Sequence, residues 1–329
     1  MDIVCLGELL VDMFPSQLGV RLEDVPAFLP KPGGAPANVA VAAARLGART
    51  AFLGKVGEDA FGHMLAGVLR REGVDIRGLR FDAAARTTMA FVAMPNENTS
   101  EFAFYRNPGA DMLLRADELD EPLLRSTCAY HFGSLSLTDD PVREASIHAA
   151  RIARASGALI SFDVNYRPSL WNGPEAARER ILAVLPEVDL LKMNEAELEL
   201  LAGSHDLEQG VKQLGRYRPK LIIVTLGAQG CYFQTAGGGG QVPGFRVRVV
   251  DATGCGDAFV AAVLWRLVAQ GDWRAALNPE HMADSLRYAN AVAAVTSLTR
   301  GVIPALPSAH RVQQFLADYD ADQGSAAMS

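Results

Sequence analysis

Several devices that announce a function are missing from this chain of 329 residues. Its four cysteines, Cys5, Cys128, Cys231 and Cys255, are scattered and form no CxxC pair. That excludes a disulfide framework and reads as reduced thiols in a cytoplasmic protein. The six histidines show no metal-ligand spacing. No GxxxxGK-S/T run occurs, which excludes a P-loop, and Leu6-Gly7-Glu8-Leu9 is too poor in glycine for a dinucleotide fingerprint near the first strand. No apolar run is long enough to span a membrane, and Asp2, Glu8 and Asp12 argue against a secretory signal. Basic charge is also scarce. A net charge of −7 and a pI near 5.4 argue against nucleic acid as a main partner, although a few local cations suffice for an anionic small molecule. Internal repeats and long linkers are absent.

What remains is an ordinary globular composition, 49% hydrophobic and 21% charged, organised around Arg246–Trp265. Arg246, Val247, Arg248 and Val249 alternate as a strand does, Thr253–Asp257 is a small-residue turn, and Ala258–Val268 is apolar enough for a buried helix. A turn that opens a helix collects backbone N–H groups and the positive end of the helix dipole, so it is a ready anion site. Asp251 and Asp257 bracket it. A carboxylate there needs a task, such as accepting a proton or helping to hold a cation. Taken alone, Asp257 reads equally well as a first-turn helix acid. The turn is not GxGxxG, because Phe259 stands at the third glycine position.

The rest of the chain alternates strands and helices. Asp2–Asp12 reads as a buried first strand running into a loop, with Asp12 just past its carboxyl end. Residues 13–31 read as irregular, and Gly33-Gly34 precede a helix over Val39–Leu46 closed by Gly47. Thr50–Gly57 is a strand and Ala60–Glu72 an amphipathic helix. Thr87–Pro95 and Glu101–Arg106 predict a hairpin turned at Asn96–Ser100. Further strands are predicted at Cys128–Phe132, Ala158–Asp163, Val188–Lys192 and Leu221–Leu226, with a hairpin at Cys231–Val242 turned at Gly237–Gly240. Helices are predicted at Asp140–Ala155, Glu175–Leu185, after Asn194, at Pro279–Ser297 and at Val312–Tyr319. The pattern predicts one α/β domain over residues 1–320. It is a doubly wound, mostly parallel sheet with helices on both faces and a small β-sheet lid from about 13–31 and 87–110. A disordered tail is expected at 321–329.

If the strands are parallel, Asp12, the group Asp163/Asn165/Arg167, the group Lys192/Asn194/Glu197, the pair Thr225/Gly227 and the turn at Asp251–Asp257 all share one sheet edge. Acids, amides, two cations and an anion-binding turn suit phosphoryl transfer, in which a protein mainly positions groups and neutralises charge.

Two of these stretches, Gly33-Gly-Ala-Pro-Ala-Asn-Val-Ala40 and Asp251-Ala-Thr-Gly-Cys-Gly-Asp-Ala-Phe259, resemble the paired signatures of the ribokinase-like (PfkB carbohydrate and purine) kinase family. The likeness spans roughly residues 2–316, includes an N-x-x-E motif at Asn194–Glu197 and a nucleotide turn at Thr225–Gly227, and is greatest to the fructokinases. The subfamily cues are Phe104–Asp111, His131–Leu137 and Asp163–Trp171. The resemblance implies a ribokinase-like fold and ATP-dependent phosphorylation of a sugar, D-fructose to D-fructose 6-phosphate. Asp257 would be the general base, and Gly254, Cys255 and Gly256 an anion hole for the γ-phosphate. Asp12, Gly33, Gly34, Asn38, Arg106 and Asn165 would hold the sugar, and Arg167 would neutralise phosphate charge beside it. Lys192, Asn194, Thr225, Gly227, Gly230 and Asn290 would face the nucleotide. Glu197 and, through water, Asn194 would organise Mg²⁺. Asp251 and Thr253, with the Ser297–Gly301 segment, would neighbour a monovalent cation such as K⁺. A helix dipole should keep Asp257 ionised and hence a weak base.

The chain departs from the family pattern at Ala252, where threonine is usual, at Cys255, where alanine is usual, and at Gly109 and Val164. None of these removes a charged catalytic group. The alternatives are a 2-keto-3-deoxygluconate kinase, disfavoured by Ala35-Pro36 where those enzymes often carry an acid, and a ribokinase-type sugar kinase. More remote are a non-catalytic sugar- or nucleotide-binding regulator and an NAD-dependent oxidoreductase. A homodimer through the lid is expected by resemblance and from the exposed edge strand at 87–106.

Overall fold

The computed structural model describes residues 1–96 and 99–326. In chain order the strands are β1 (Ile3–Leu6), β2 (Leu10–Pro15), β3 (Phe28–Gly33), β4 (Thr50–Gly57), β5 (Asp75–Asp82), β6 (Met89–Asn96), β7 (Thr99–Tyr105), β8 (Ala129–Gly133), β9 (Leu159–Asp163), β10 (Leu190–Asn194), β11 (Leu221–Thr225), β12 (Cys231–Thr235) and β13 (Gly238–Val242). The helices are α1 (Ala35–Arg45), α2 (Ala60–Arg71), α3 (Glu121–Arg125), α4 (Val142–Ala155), α5 (Pro174–Val184), α6 (Glu195–Ala202), α7 (Leu207–Leu214), α8 (Cys255–Val268), α9 (Pro279–Thr296) and α10 (Ala309–Ala326).

Nine strands form the main sheet in the order β13-β12-β11-β10-β9-β8-β1-β4-β5. From β11 to β5 every pairing is parallel, while β12 and β13 add an antiparallel edge. The period-2 alternation of side chains is visible in β1. Ile3 and Cys5 enter the core layer that includes α1, α8 and α9, and Val4 and Leu6 enter the opposite layer with α4 to α7. Strands buried on both faces read as continuous apolar runs, which is why β1 and β11 were legible. α8 is buried along most of its length, and Ala258, Ala261 and Ala262 let neighbouring helices come close.

The second sheet has the order β3-β2-β6-β7. It corrects two expectations. Residues 13–31 are not wholly irregular, since β2 and β3 pair antiparallel from Leu10↔Gly33 to Pro15↔Phe28. Asp12 is therefore not in a loop. It lies within β2, opposite Lys31 on one side and Ala90 on the other. The chain leaves the main sheet at Leu6 and enters the small one at Leu10, so a single apolar run serves both sheets.

Three more differences follow from local chemistry. Arg246–Val249 alternates like a strand but pairs with no strand among the described residues. Arg246, Val247 and Val249 instead line a cavity, with Val249 57% exposed. The β12–β13 turn closes at residues 236–237, so Gly238–Gly240 are strand. α10 continues past Asp320 to Ala326, and 327–329 lie outside the described residues, as do Glu97 and Asn98 of the expected hairpin turn. β5 and α7 were not anticipated.

Candidate active site

The carboxyl edge of the main sheet, the small sheet and the start of α8 enclose a cavity of about 1080 Å³. α8 begins at Gly254, whose φ is +79°, and a Cβ there would lie 2.4 Å from Val302 Cγ1. Only glycine fits both constraints. The N–H groups of a helix's first turn lack intrahelical partners, so this turn offers donors to the cavity. Cys255 N–H turns back to Ala252 O at 3.3 Å. Burial, followed by Asp251 and Asp257, pushes its thiol up to about 12, so the sulfur is unreactive at neutral pH.

Asp257 follows in the same turn. Its Oδ2 accepts a 2.8 Å hydrogen bond from Asn38 Nδ2 on α1. Burial raises the Asp257 carboxyl to about 6, against the lowering effect of the Asn38 bond, with Asp163 adding to the rise and Lys192 and Arg167 opposing it. Asp257 therefore stays mostly ionised at neutral pH, as expected, but burial makes it a stronger base than an ordinary carboxylate. Asp12 faces the same cavity, and burial and then the Asp257 charge raise it to about 7, against Arg167. Asn38 Oδ1 is buried and has no hydrogen-bond partner among the described residues. Arg167, half-buried, lines the cavity and makes no salt bridge among the described residues; its one hydrogen bond goes to Tyr166 O. Asn165 beside it has φ +37°, a strained backbone of the kind functional sites retain.

On the opposite wall the charged and polar side chains pair with one another. Lys192 and Asp163 are register neighbours on β10 and β9, and Lys192 Nζ donates to both Asp163 oxygens at 3.0 Å. Burial pulls the Lys192 ammonium down, but Asp163, Glu197 and Asp257 outweigh it and hold the group above its ordinary value. A Cβ on Gly256 would lie 3.2 Å from Nζ, so this cation abuts the α8 turn. Asn194 caps α6 in a reciprocal box. Its Oδ1 accepts from Glu197 N–H at 2.9 Å, and Glu197 Oε2 accepts from Asn194 N–H at 2.8 Å. Glu197 Oε1 accepts from Tyr166 N–H, and burial raises this carboxyl too.

At the other end of the cavity lie Thr225, whose hydroxyl donates to Met193 O, together with Gly227 and Gly230. Asn290 Nδ2 donates to Val242 O and Pro243 O, holding the end of β13 against α9. Asp251 accepts from Thr253 N–H, Thr253 Oγ1 and Gly301 N–H, which joins the turn to the segment after α9.

Most of the residues singled out from the sequence thus converge on one space. Gly33, Arg106 and Asp251 do not line it. Gly33 packs directly on Asp12. Arg106 already has partners of its own. Its guanidinium is buried and committed to Asp111 Oδ2 at 2.7 Å, Thr138 Oγ1 and Leu135 O. Two residues were missed. Glu8 lines the cavity, accepts Ala35 N–H at 2.8 Å and is raised to about 7, chiefly by burial. An acid inside the apolar run Ile3–Val11 was the available signal. Asp163 was noted at its strand end but given no role, because strand register alone makes it the partner of Lys192.

Comparison with known proteins was made against this geometry. The model of the pfkB family of carbohydrate kinases matches residues 1–309. Fructokinase-1 of Zea mays is 46% identical over 315 residues, covering 95% of this chain and 97% of that protein. Fructokinase-1 of Oryza sativa subsp. japonica is 46% identical over 307 residues, covering 93% and 94%. Among solved structures, fructokinase with bound ATP from Xylella fastidiosa superimposes with a TM-score of 0.89 at 37% identity, covering 96% of this chain and 98% of that one. Fructokinase of Vibrio cholerae O395 with fructose, ADP and calcium ion gives 0.86 at 32%, with the same coverage.

Proposed function

The chain belongs to the PfkB family of carbohydrate kinases, and on that premise we propose that this sugar kinase transfers the terminal phosphoryl group of ATP to D-fructose, giving D-fructose 6-phosphate. One observation carries the reading: a carboxyl raised to about 6 stands in the cavity wall beside helix-start amides and a buried ammonium.

Asp257 is mostly ionised at neutral pH yet close enough to it to act as a base. It takes the proton of the sugar hydroxyl as that oxygen bonds to the γ-phosphorus, and the bond from phosphorus to the bridging oxygen of ADP breaks. The amides of Gly254–Gly256 and the Lys192 ammonium complement the charge on the transferring group. Asp12, Gly34, Asn38 and Asn165 hold the sugar, and the unpartnered Asn38 Oδ1 gains a hydroxyl donor there. Arg167 offers its free charge to phosphate. Thr225, Gly227, Gly230 and Asn290 line the nucleotide end.

No group of three His, Cys, Asp or Glu that could cage a metal occurs among the described residues. Mg²⁺ commonly keeps several waters and leans on substrate phosphates, so it needs few protein ligands. Glu197, each of whose oxygens accepts one backbone N–H, and Asn194 would hold it through those waters. The ion would supply charge neutralisation on the triphosphate. Asp251 and Thr253, joined to the 297–301 segment, would neighbour K⁺. The free thiols suit a cytoplasmic setting, and no described helix is long and apolar enough to cross a membrane. Pairing of small sheets between two copies, each acting as the other's lid support, makes a homodimer, which light scattering would report as twice the chain mass.

Purified protein with Mg·ATP and a sugar panel should release ADP fastest with fructose. Faster turnover on 2-keto-3-deoxygluconate or ribose would reassign the substrate, and no turnover on any sugar would remove the activity.

A further inference from the structure

Resting on that kinase reading, we infer that Asp163 is a positioning residue: it holds the Lys192 ammonium against the first turn of α8, where the cation completes the surface that receives the terminal phosphoryl group of a nucleoside triphosphate. Both side chains are nearly inaccessible, at 3% exposure for Asp163 and 6% for Lys192. Both Asp163 oxygens take the ammonium at 3.0 Å, and Nζ lies 3.2 Å from where a Gly256 Cβ would be. A cation beside the positive end of a helix is repelled by it. A carboxylate directly behind the ammonium offsets that repulsion and its desolvation. An ammonium has three donors, and Asp163 engages two directions, which leaves one for an anion arriving at the turn. A pair serving only to join β9 to β10 would not need to stand at the helix start, since Asp163 and Lys192 are already register neighbours in a hydrogen-bonded ladder.

The test is a double-variant cycle read first by binding. Asp163→Asn, Lys192→Met and the combination are titrated calorimetrically with Mg·AMP-PNP and with Mg·ADP. Each single variant should bind the triphosphate analogue roughly ten- to a hundredfold more weakly, with Mg·ADP affinity within about twofold of wild type. In turnover, kcat should fall roughly a hundredfold while KM for fructose holds. The combination should be no worse than Lys192→Met alone. Equal loss of diphosphate and triphosphate affinity, or losses that multiply, overturns the inference. Should Asp163→Asn fail to fold because it strands a buried ammonium, Lys192→Met against the combination, which buries no unpaired charge, decides it in the same way. A wild type that binds the analogue but phosphorylates no sugar overturns the proposed function and leaves this inference to the binding cycle.

Discussion

The two walls of the cavity differ in how their polar groups are satisfied. On the β9–β10 wall, Lys192 has both oxygens of Asp163, and Glu197 and Asn194 cap each other. On the other wall, among the described residues, Asn38 Oδ1 has no partner and Arg167, just past β9, has no carboxylate, while burial raises both Asp12 and Asp257 and the Asp257 charge raises Asp12 further. Buried polar groups are normally satisfied, so the short-changed wall is the one built to gain its partners from a ligand. The β9–β10 wall has these partners before any ligand arrives. On the proposed function, the paired wall would serve as the anion site and the other as a sugar site that is completed by its ligand.

Removing the base is the largest expected break. Asp257→Asn should lower kcat by roughly 10²–10⁴-fold while calorimetric binding of nucleotide and sugar persists, because only the reacting step needs the proton acceptor. Near wild-type turnover would exclude Asp257 as base. Next is the anion turn. Gly254→Ala places a Cβ 2.4 Å from Val302 at a positive φ, and should cost about 1–3 kcal/mol of stability together with most activity. An unchanged melting temperature and turnover would show that the turn tolerates a side chain.

The under-satisfied wall is sharpened by pH. Activity needs Asp257 ionised, so kcat/KM should fall as pH drops through about 6. Asn38 donates to Asp257 and lowers its pKa, so Asn38→Ala should move that acid limb to higher pH as well as raise KM for the sugar. A limb that stays in place would sever Asn38 from the base. The smallest effect concerns folding. The Asp12 carboxyl is raised from 3.8 to about 7, so the stability it contributes is full below the ordinary value and lost as pH rises through 7. Asp12→Asn removes that titration. Its stability relative to wild type should therefore increase by about 1–3 kcal/mol between pH 4 and pH 8. Parallel pH profiles of melting for the two proteins would contradict the raised value.

Much of this was legible from residue pattern. β1, β9 and β11 are apolar runs that suit a sheet covered on both faces, and Gly254-Cys255-Gly256-Asp257 before an apolar run marks the start of a helix. The small sheet was harder, because Phe28–Gly33 contains Pro30 and Pro32 and resembles a loop until β2 lies beside it. Arg246–Val249 misled in the opposite direction. It alternates, yet it pairs with no strand among the described residues and lines the cavity instead.

The sequence by itself determined which groups carry charge, where the chain turns without a side chain in the way and which runs must be covered on both faces. Those properties depend on residues adjacent in the chain. Only the tertiary structure decided that Arg106 pairs with Asp111, that Asp163 stands behind Lys192 and that burial lifts the Asp257 carboxyl to about 6. Burial and partner choice arise between segments far apart in sequence, and they set both the charge state and the reach of a side chain.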